Sequence, residues 1–459
     1  MNAMHSSINP FIFREYDIRG IVDTDLTDAS VALIGRGYAA YLAGHGVKKI
    51  SVGGDVRLSS RRFMDILCRV MAESGLHVID IGPVPTPVSY YSLFTLDVGG
   101  SIMVTGSHNP AEFNGFKLGL GQSTIHGDEI KKVLAIIQEG RFVSGSGLVE
   151  KRDLNSDYTA MLKGKFSFRR RLKVVVDAGN GTAALFVPAL LRSFGHEVIE
   201  LYCDVDGRFP NHHPDPTVEK NLQDLVRKVR ETGAHVGVAF DGDSDRIGVV
   251  DDQGGILWGD YLLLIYALDI LKTRPGAKVI FEVKCSQALT DVLPGAGGEP
   301  IMWKTGHSLL KSKMKETQAA IAGEMSGHMF FADRYYGYDD AIYATLRLLE
   351  ILDHETESLS RIRARLPVYH STPEMRLECE NDAVKFAITR QAVDYFSRNY
   401  KTITIDGVRI LFGDGWGLLR ASNTQPVLVL RFEAKTPERL SEIRGLVIDK
   451  LKEFGRFTM

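Results

Sequence analysis

Residues Asp241-Gly242-Asp243-Ser244-Asp245-Arg246 constrain this chain more than any other stretch. Three carboxylates alternate along it, so in an extended loop they can turn to one side. Side by side and uncompensated, they would repel one another and raise each other's pKa. A hard divalent cation removes that penalty by taking oxygen ligands from each. The flanking runs Val236-Gly237-Val238-Ala239-Phe240 and Ile247-Gly248-Val249-Val250 read as buried strands, which places the carboxylates on a tight inter-strand connection. Calcium sensing by an EF-hand is disfavoured, because Arg246 and Asp252 stand where that loop needs its glycine and its last glutamate. The competing reading is an acidic hairpin turn on the surface.

A chain of 459 residues suggests about three domains, and 44% hydrophobic residues suffice for sizeable cores. The net charge of −2 gives no global field for nucleic acid or an anionic membrane, so neither is expected as a partner. Cys68, Cys203, Cys285 and Cys379 lie far apart and form no C-x-x-C pair. Reduced thiols in the cytoplasm fit that spacing better than a disulfide framework or a zinc site. Met1 to Pro10 shows no basic region followed by an apolar run, so no signal peptide is expected. No apolar run reaches bilayer-spanning length.

Strand and helix patterns alternate through most of the chain, which predicts parallel or mixed sheets with helices packed on them. The first α/β domain is expected over residues 1–147. In it, strands at Lys49–Gly53, His77–Ile81 and Gly100–Val104 frame a helix at Arg61–Glu73. A helix at Gly127–Gln138 leads to a candidate linker, Ser144-Gly145-Ser146-Gly147. A second α/β domain, 148–254, has strands at Lys173–Val176 and His196–Leu201, a helix running to Phe194, and the acidic hairpin at its close. The third, 255–366, has helices at Asp260–Leu271, Ser308–Lys315 and Ala341–Leu352 and strands at Lys278–Val283 and Ala319–Ala322. The last, 367–459, reads as a smaller α+β domain, with four strands between Lys401 and Ala434 flanked by helices at Asp382–Tyr400 and Pro437–Phe454.

Four more polar loops carry candidate chemistry. Thr105-Gly106-Ser107-His108-Asn109-Pro110 ends a buried strand, where a serine hydroxyl and nearby N–H groups can face an anion. An ST-turn is the plainer alternative. Asn109 replaces the second glycine of a hydrolase elbow, which disfavours acyl transfer by a triad. In Gly323-Glu324-Met325-Ser326-Gly327-His328, Glu324 and Ser326 can grip vicinal sugar hydroxyls and His328 can hydrogen-bond the same ligand or shuttle a proton. A βα turn is the alternative there. Arg420-Ala421-Ser422-Asn423-Thr424-Gln425-Pro426 is suited to phosphate, or is a polar hairpin. Arg14-Glu15-Tyr16-Asp17-Ile18-Arg19-Gly20 is too charged for a simple strand. Arg19 can face a phosphate there, or the segment is a salt-bridged edge. Lys117 lies ten residues after Ser107, and Lys284 and His307 stand near expected strand ends, although lysines are more often solvated.

These five motifs, in this order from residue 14 to 426, resemble the α-D-phosphohexomutase family over nearly the whole chain. Met325 and Asn423 resemble the bifunctional phosphomannomutase/phosphoglucomutases, whereas phosphoglucosamine mutases carry glutamine at the Met325 position. The resemblance implies four domains around a central cleft and reversible phosphoryl transfer between the 1- and 6-positions of mannose or glucose phosphates. It implies that Ser107 is carried as phosphoserine. Asp241, Asp243 and Asp245, with a phosphoserine oxygen, would bind one Mg2+, and a hexose 1,6-bisphosphate would be intermediate and activator. Arg246 would lie beside the phosphoryl group, and Lys117, Arg19 or His328 would assist proton transfer. Glu324 and Ser326 would read the sugar hydroxyls. Arg420, Ser422, Asn423 and Thr424 would hold the phosphate not being transferred, and Tyr16, Lys284 and His307 would line the cleft. The resemblance implies small hexose phosphates as partners, and a monomer is the expected state, with an oligomer the alternative. The rival readings are a phosphoglucosamine mutase, a metal-dependent sugar phosphatase, and a silent sugar-phosphate sensor.

Overall fold

The computed structural model describes residues 8–422 and 425–458. Contacts gather the chain into two compact units, Met1–Gly259 with Ser326–Ile362, and Asp260–Met325 with Arg363–Met459.

The first unit opens with strands β1 (Ile18–Ile21), β2 (Lys49–Gly54), β3 (His77–Pro83), β4 (Gly100–Val104), β5 (Phe113–Leu120), β6 (Ser123–Thr124) and β7 (Val149–Lys151). They form a sheet in the order β1-β5-β4-β2-β3-β7, with β6 on β5. Strand β2 runs parallel to β3 and β4, while β5 is antiparallel to β4 and β1. Its helices are α1 (Asp28–Gly44), α2 (Ser60–Glu73), α3 (Thr86–Thr95) and α4 (Asp128–Gln138). Helices α1 and α2 place Ile34, Tyr38, Phe63 and Leu67 on Val52, Ile102 and Phe116, and these residues are fully buried. Such burial on both faces is the condition for a β4 without polar alternation.

Two details differ from expectation. The charged segment at residues 14–20 does supply a strand, at the sheet edge, because Ile18 is buried while Arg19 pairs with Asp17 at 2.7 Å. The Gly/Ser stretch is not a free tether. Gly145 N–H donates to Glu73 O and Gly147 N–H to Ala72 O, each at 2.9 Å, and β7 then pairs parallel with β3. Residues 149–151 therefore extend the first sheet.

The same unit continues with α5 (Leu154–Lys165), β8 (Lys173–Asp177), α6 (Val187–Ser193), β9 (Glu197–Leu201), α7 (Gln223–Thr232), β10 (Val236–Phe240), β11 (Ile247–Asp251) and β12 (Ile256–Leu257). The sheet order is β12-β11-β10-β8-β9. Its core seats Leu225 and Val229 of α7 on Val175, Ala239 and Val250. The helix expected to run to Phe194 is broken into a 3-10 turn, Thr182–Leu185, and α6. Pro188 in the first turn of α6 lacks the N–H a continuous helix would use. Strands β10 and β11 are antiparallel and buried throughout, so Asp241–Arg246 is the connection of a buried hairpin, not an acidic surface turn.

The second unit contains strands β13 (Lys278–Glu282), β14 (Glu299–Trp303) and β15 (Ile321–Gly323), with β13 parallel to both others. Helices α8 (Gly259–Thr273), α9 (Ala288–Val292) and α10 (His307–Thr317) accompany them. Strand β16 (Met329–Phe331) and α11 (Ala341–His354) belong to the first unit, and α12 (Leu359–Ala364) follows.

The last part of the second unit is an antiparallel sheet of β17 (His370–Ser371), β18 (Met375–Glu378), β19 (Lys401–Ile403), β20 (Val408–Leu411), β21 (Gly415–Ala421) and β22 (Val427–Ala434). Helices α13 (Asp382–Asn399) and α14 (Pro437–Phe454) cover it, with Phe396, Val447 and Leu451 packed on Leu419, Leu430 and Phe432. Three α/β domains and a smaller α+β domain are thus the architecture, as expected. No helix of the described residues is long and apolar enough to cross a membrane.

Candidate active site

Strand β4 delivers Ser107 on a tight turn. Its φ is +49°, in the left-handed region that a serine enters only at a cost of about 1–3 kcal/mol. The surroundings hold it there. Ser107 N–H donates to Thr105 Oγ1, and Thr105 Oγ1 donates to Asp55 Oδ2, both at 2.8 Å. The Ser107 hydroxyl donates to Asp241 Oδ2 at 2.8 Å, so the Ser107 loop and the acidic hairpin meet within the first unit. His108 Nδ1 lies 3.2 Å from the same hydroxyl. Burial, with the charges of Arg246 and Arg19, pushes the His108 pKa well below its ordinary range, so its imidazole stays neutral.

The three aspartates are fully buried and their ligand oxygens lie within 4.8 Å of one another. Lys117, reaching in from β5, contacts Asp243 Oδ2 at 2.8 Å and Asp245 Oδ2. Thr86 at the start of α3 donates its hydroxyl to Asp243 Oδ2 at 2.6 Å. Mutual repulsion therefore does not act evenly. Burial, then Asp243 and Asp245, raise Asp241 well above the usual carboxylate range. Burial is the strongest single influence on Asp243 and opposes its ionisation, but the Lys117 charge together with hydrogen bonds from Lys117, Thr86 and Asp241 outweighs it and holds that carboxyl low. Burial likewise opposes the charge on Lys117, and Asp243 and Asp245 overcome it and raise its pKa.

Asp243 Oδ1 and Asp245 Oδ1 are buried and accept no hydrogen bond. Two such carboxylate oxygens beside Asp241 form an all-oxygen donor set that could hold a hard divalent ion.

Arg246 Nε donates to His328 Nε2 at 3.0 Å, which puts the ring proton on Nδ1. That nitrogen faces Asp339 Oδ2 at 3.1 Å and Asp245 Oδ1 at 3.5 Å. Arg19 reaches the serine loop, with Nη1 on Asn109 Oδ1 at 2.9 Å. Tyr16 is half-buried two residues before β1, and Ser326 is half-buried at the turn preceding β16.

The second unit holds its own polar cluster. Lys284 Nζ lies 2.9 Å from Glu374 Oε2, and Glu282 Oε2 accepts from Lys284 N–H at 2.7 Å. Glu324 Oε1 accepts from Gly306 N–H at 2.7 Å, just before His307 opens α10. Arg420 Nε donates to Asp406 Oδ2 at 2.9 Å. Ser422 Oγ accepts from Gln425 N–H at 3.3 Å, and buried Lys385 ties Ser422 O and Gln425 O at 2.8 and 2.9 Å. Asn423 and Thr424 lie outside the described residues.

Several contributors escaped the sequence reading: Thr86, Asp55, Arg57, Asp339, Glu282, Glu374, Lys385 and Asp406. Asp55-Val56-Arg57 directly after β2 was a legible signal, because a carboxylate and a guanidinium at a buried strand end need a purpose.

Profiles of the phosphoglucomutase/phosphomannomutase α/β/α domains I, II and III match residues 10–144, 156–255 and 258–369, and the C-terminal domain profile matches 374–450. A phosphomannomutase/phosphoglucomutase of Pseudomonas syringae is 45% identical over 444 residues, covering 96% of this chain and 95% of the relative. A phosphoglucomutase of Neisseria meningitidis serogroup A is 45% identical over 438 residues, covering 95% of each. The crystal structure of a phosphoglucomutase/phosphomannomutase family protein from Burkholderia thailandensis superposes with a TM-score of 0.93 at 40% identity, covering 99% of this chain and 100% of that one. With nearly its full length matched in profile, sequence and fold, this chain belongs to the phosphoglucomutase/phosphomannomutase family.

Proposed function

We propose that this hexose-phosphate mutase acts through phosphorylated Ser107 on mannose and glucose phosphates. The protein is an isomerase of carbohydrate metabolism, moving a phosphoryl group between the 1- and 6-oxygens of a hexose phosphate. The observation that supports the serine route is the 2.8 Å hydrogen bond from Ser107 Oγ to Asp241, inside a buried acidic cluster. A solvent-facing structural serine has no use for such neighbours.

Mg2+ held by Asp241, Asp243, Asp245 and a phosphoserine oxygen would supply positive charge to the phosphoryl oxygens when bound. The chain's own residues do the rest. Phosphoserine 107 presents its phosphorus to the free hydroxyl of a hexose 1- or 6-phosphate. The new P–O bond forms as the P–Oγ bond breaks, and the proton lost by the sugar hydroxyl ends on Ser107 Oγ, to be returned in the second transfer. The bisphosphorylated sugar turns, and its other phosphoryl returns to Ser107 Oγ. This path is mostly positioning and charge neutralisation. Arg246, fixed by His328, offers its guanidinium to the equatorial oxygens. Lys117, in contact with Asp243, would add positive charge beside the phosphoryl group, and Lys117, Arg19 or His328 would assist proton transfer. Arg19 would steady the serine loop from the Asn109 side, with Tyr16 beside it.

Glu324 and Ser326, two residues apart on one loop, would read sugar hydroxyls, and Lys284 and His307 would help seat the ring. Arg420, Ser422, Asn423 and Thr424 would clamp the phosphate that is not moving. The boundaries 1–147, 148–254, 255–366 and 367–459 give the first domain the loops at 14–20 and 105–110 and each other domain one loop in this reading. Four unpaired cysteines, three of them buried, fit a cytoplasmic setting.

A coupled assay with Mg2+ and a trace of hexose 1,6-bisphosphate tests the specificity. Mannose 1-phosphate and glucose 1-phosphate should both turn over, and glucosamine 1-phosphate should be poor. Preferred turnover of glucosamine 1-phosphate, or net release of inorganic phosphate, would replace this reading with a glucosamine mutase or a phosphatase.

A further inference from the structure

We propose that Phe209, on a loop of the second domain remote in sequence from every motif above, is a positioning residue for phosphoryl transfer. It would act through Arg57 on the backbone of the Ser107 loop. The inference rests on the phosphoserine reading and extends it to a residue that touches neither sugar nor metal ligand.

Arg57 is 2% exposed, and all five of its guanidinium N–H bonds have acceptors. Nη2 donates to Ser107 O at 2.8 Å and Asn109 O at 2.6 Å. Nη1 donates to Pro110 O at 2.6 Å and Phe113 O at 3.0 Å. Nε donates to Asp55 Oδ2 at 3.2 Å. Four carbonyls between Ser107 and Phe113 thus converge on one planar group. A lysine cannot reproduce that fork. Gly106 completes the fit, since a Cβ there would stand 2.5 Å from the guanidinium carbon.

The cover over the face of the guanidinium comes from elsewhere in the chain. The Phe209 ring covers it, with Arg57 Cζ 5.0 Å from the ring centroid. Phe209 is 8% exposed and has a φ of +51°, which an aromatic residue rarely adopts. The loop that imposes this strain is itself pinned. Asn180 Nδ2 donates to Asp204 O at 2.8 Å, Asn211 Nδ2 to Asn180 Oδ1 at 2.8 Å, and His212 Nε2 meets Asp177 Oδ2 at 3.0 Å. Gly207 packs so tightly that its Cβ would lie 2.3 Å from Val56 O. Strain held by several bonds and spent on one contact marks a site where placement matters. The loop follows β9, while the metal-site hairpin joins β10 and β11, so one sheet positions both the acids and the buttress of the serine.

The test compares Phe209→Leu with Phe209→Tyr, alongside Ser107→Ala. Loss of the ring should lower kcat about tenfold or more with KM nearly unchanged, as sub-ångström misplacement of a reacting group does. It should also raise the rate at which phosphoserine 107 loses phosphate to water, because a loosened loop admits it. Phe209→Tyr keeps a ring over Arg57 and should restore both rates. Unchanged kcat in Phe209→Leu, or equal losses in Leu and Tyr variants that track thermal stability alone, would overturn the proposal. Should Phe209→Leu not fold, Gly207→Ala perturbs the same buttress by one methyl, with the same readouts. Full activity in Ser107→Ala would instead remove the phosphoserine reading, which separates the two failures.

Discussion

Replacing Gly242 with alanine should disable the enzyme without unfolding it. Gly242 lies between Asp241 and Asp243, and a Cβ there would sit 2.5 Å from the Ser107 carbonyl oxygen. Ordinary contact begins near 3.4 Å, so the two loops must part by about 0.9 Å. The Ser107 side cannot yield freely, because Arg57 Nη2 holds the same oxygen at 2.8 Å. The displacement therefore falls on the pairing of Ser107 Oγ with Asp241. Misplacement by about 1 Å costs on the order of a hundredfold in rate, or about 2.7 kcal/mol of barrier. Overpacking should cost about 1–3 kcal/mol of stability, which a chain with two well-filled units withstands. The assay is coupled mutase turnover at saturating substrate, with urea unfolding in parallel. Gly44→Ala is the control. It lies in the last turn of α1, its Cβ would meet nothing within 4 Å, and it should keep full activity with a small gain in stability. Turnover of Gly242→Ala within twofold of the parent would refute the argument that Ser107 must be held this close to the acids.

Other outcomes follow from the same geometry. Lys117→Met should lose about a hundredfold or more in kcat and about 3–5 kcal/mol of stability in the presence of a chelator, because it strands buried carboxylates; unfolding curves with and without Mg2+ should show the deficit shrinking when the ion is present. Lys284 and Arg376 hold Glu374 at a pKa of about 2 against an ordinary 4.5, with burial opposing them. A depressed carboxylate stabilises above its unfolded pKa, so that pair contributes at most about 3 kcal/mol near neutrality and loses it as pH falls from about 4.5 toward 2. The stability gap between parent and Glu374→Gln should accordingly close on acidification, and a gap independent of pH would count against the pairing. Arg420→Ala should raise KM far more than it lowers kcat, and the reverse pattern would deny it a clamp role.

Much of this molecule was legible in its residues because local pattern and chemistry agreed. The acidic hairpin declared itself through apolar runs on both sides, and β10 and β11 are buried as those runs demand. Pattern failed where tertiary context decided. Residues 14–20 look too charged for a strand, yet β5 offers them an edge. The glycines and serines at 144–147 read as a tether, yet they bond to the backbone of α2. The acids did not share their repulsion equally, because Lys117, distant in sequence, sides with Asp243 and Asp245. Phe209 was silent for the same reason: it lies in no motif, and only folding brings the Arg57 guanidinium under its strained ring.

The most direct measurement is the fate of one phosphoryl group. Protein loaded with isotopically labelled hexose 1,6-bisphosphate is digested and its peptides are weighed, and the loaded protein is then mixed with excess unlabelled glucose 1-phosphate. The label should reside on the peptide containing Ser107 and leave for the sugar within one turnover. Label found on another residue, or on Ser107 but released only to water, would contradict the assignment of this serine as the phosphoryl carrier.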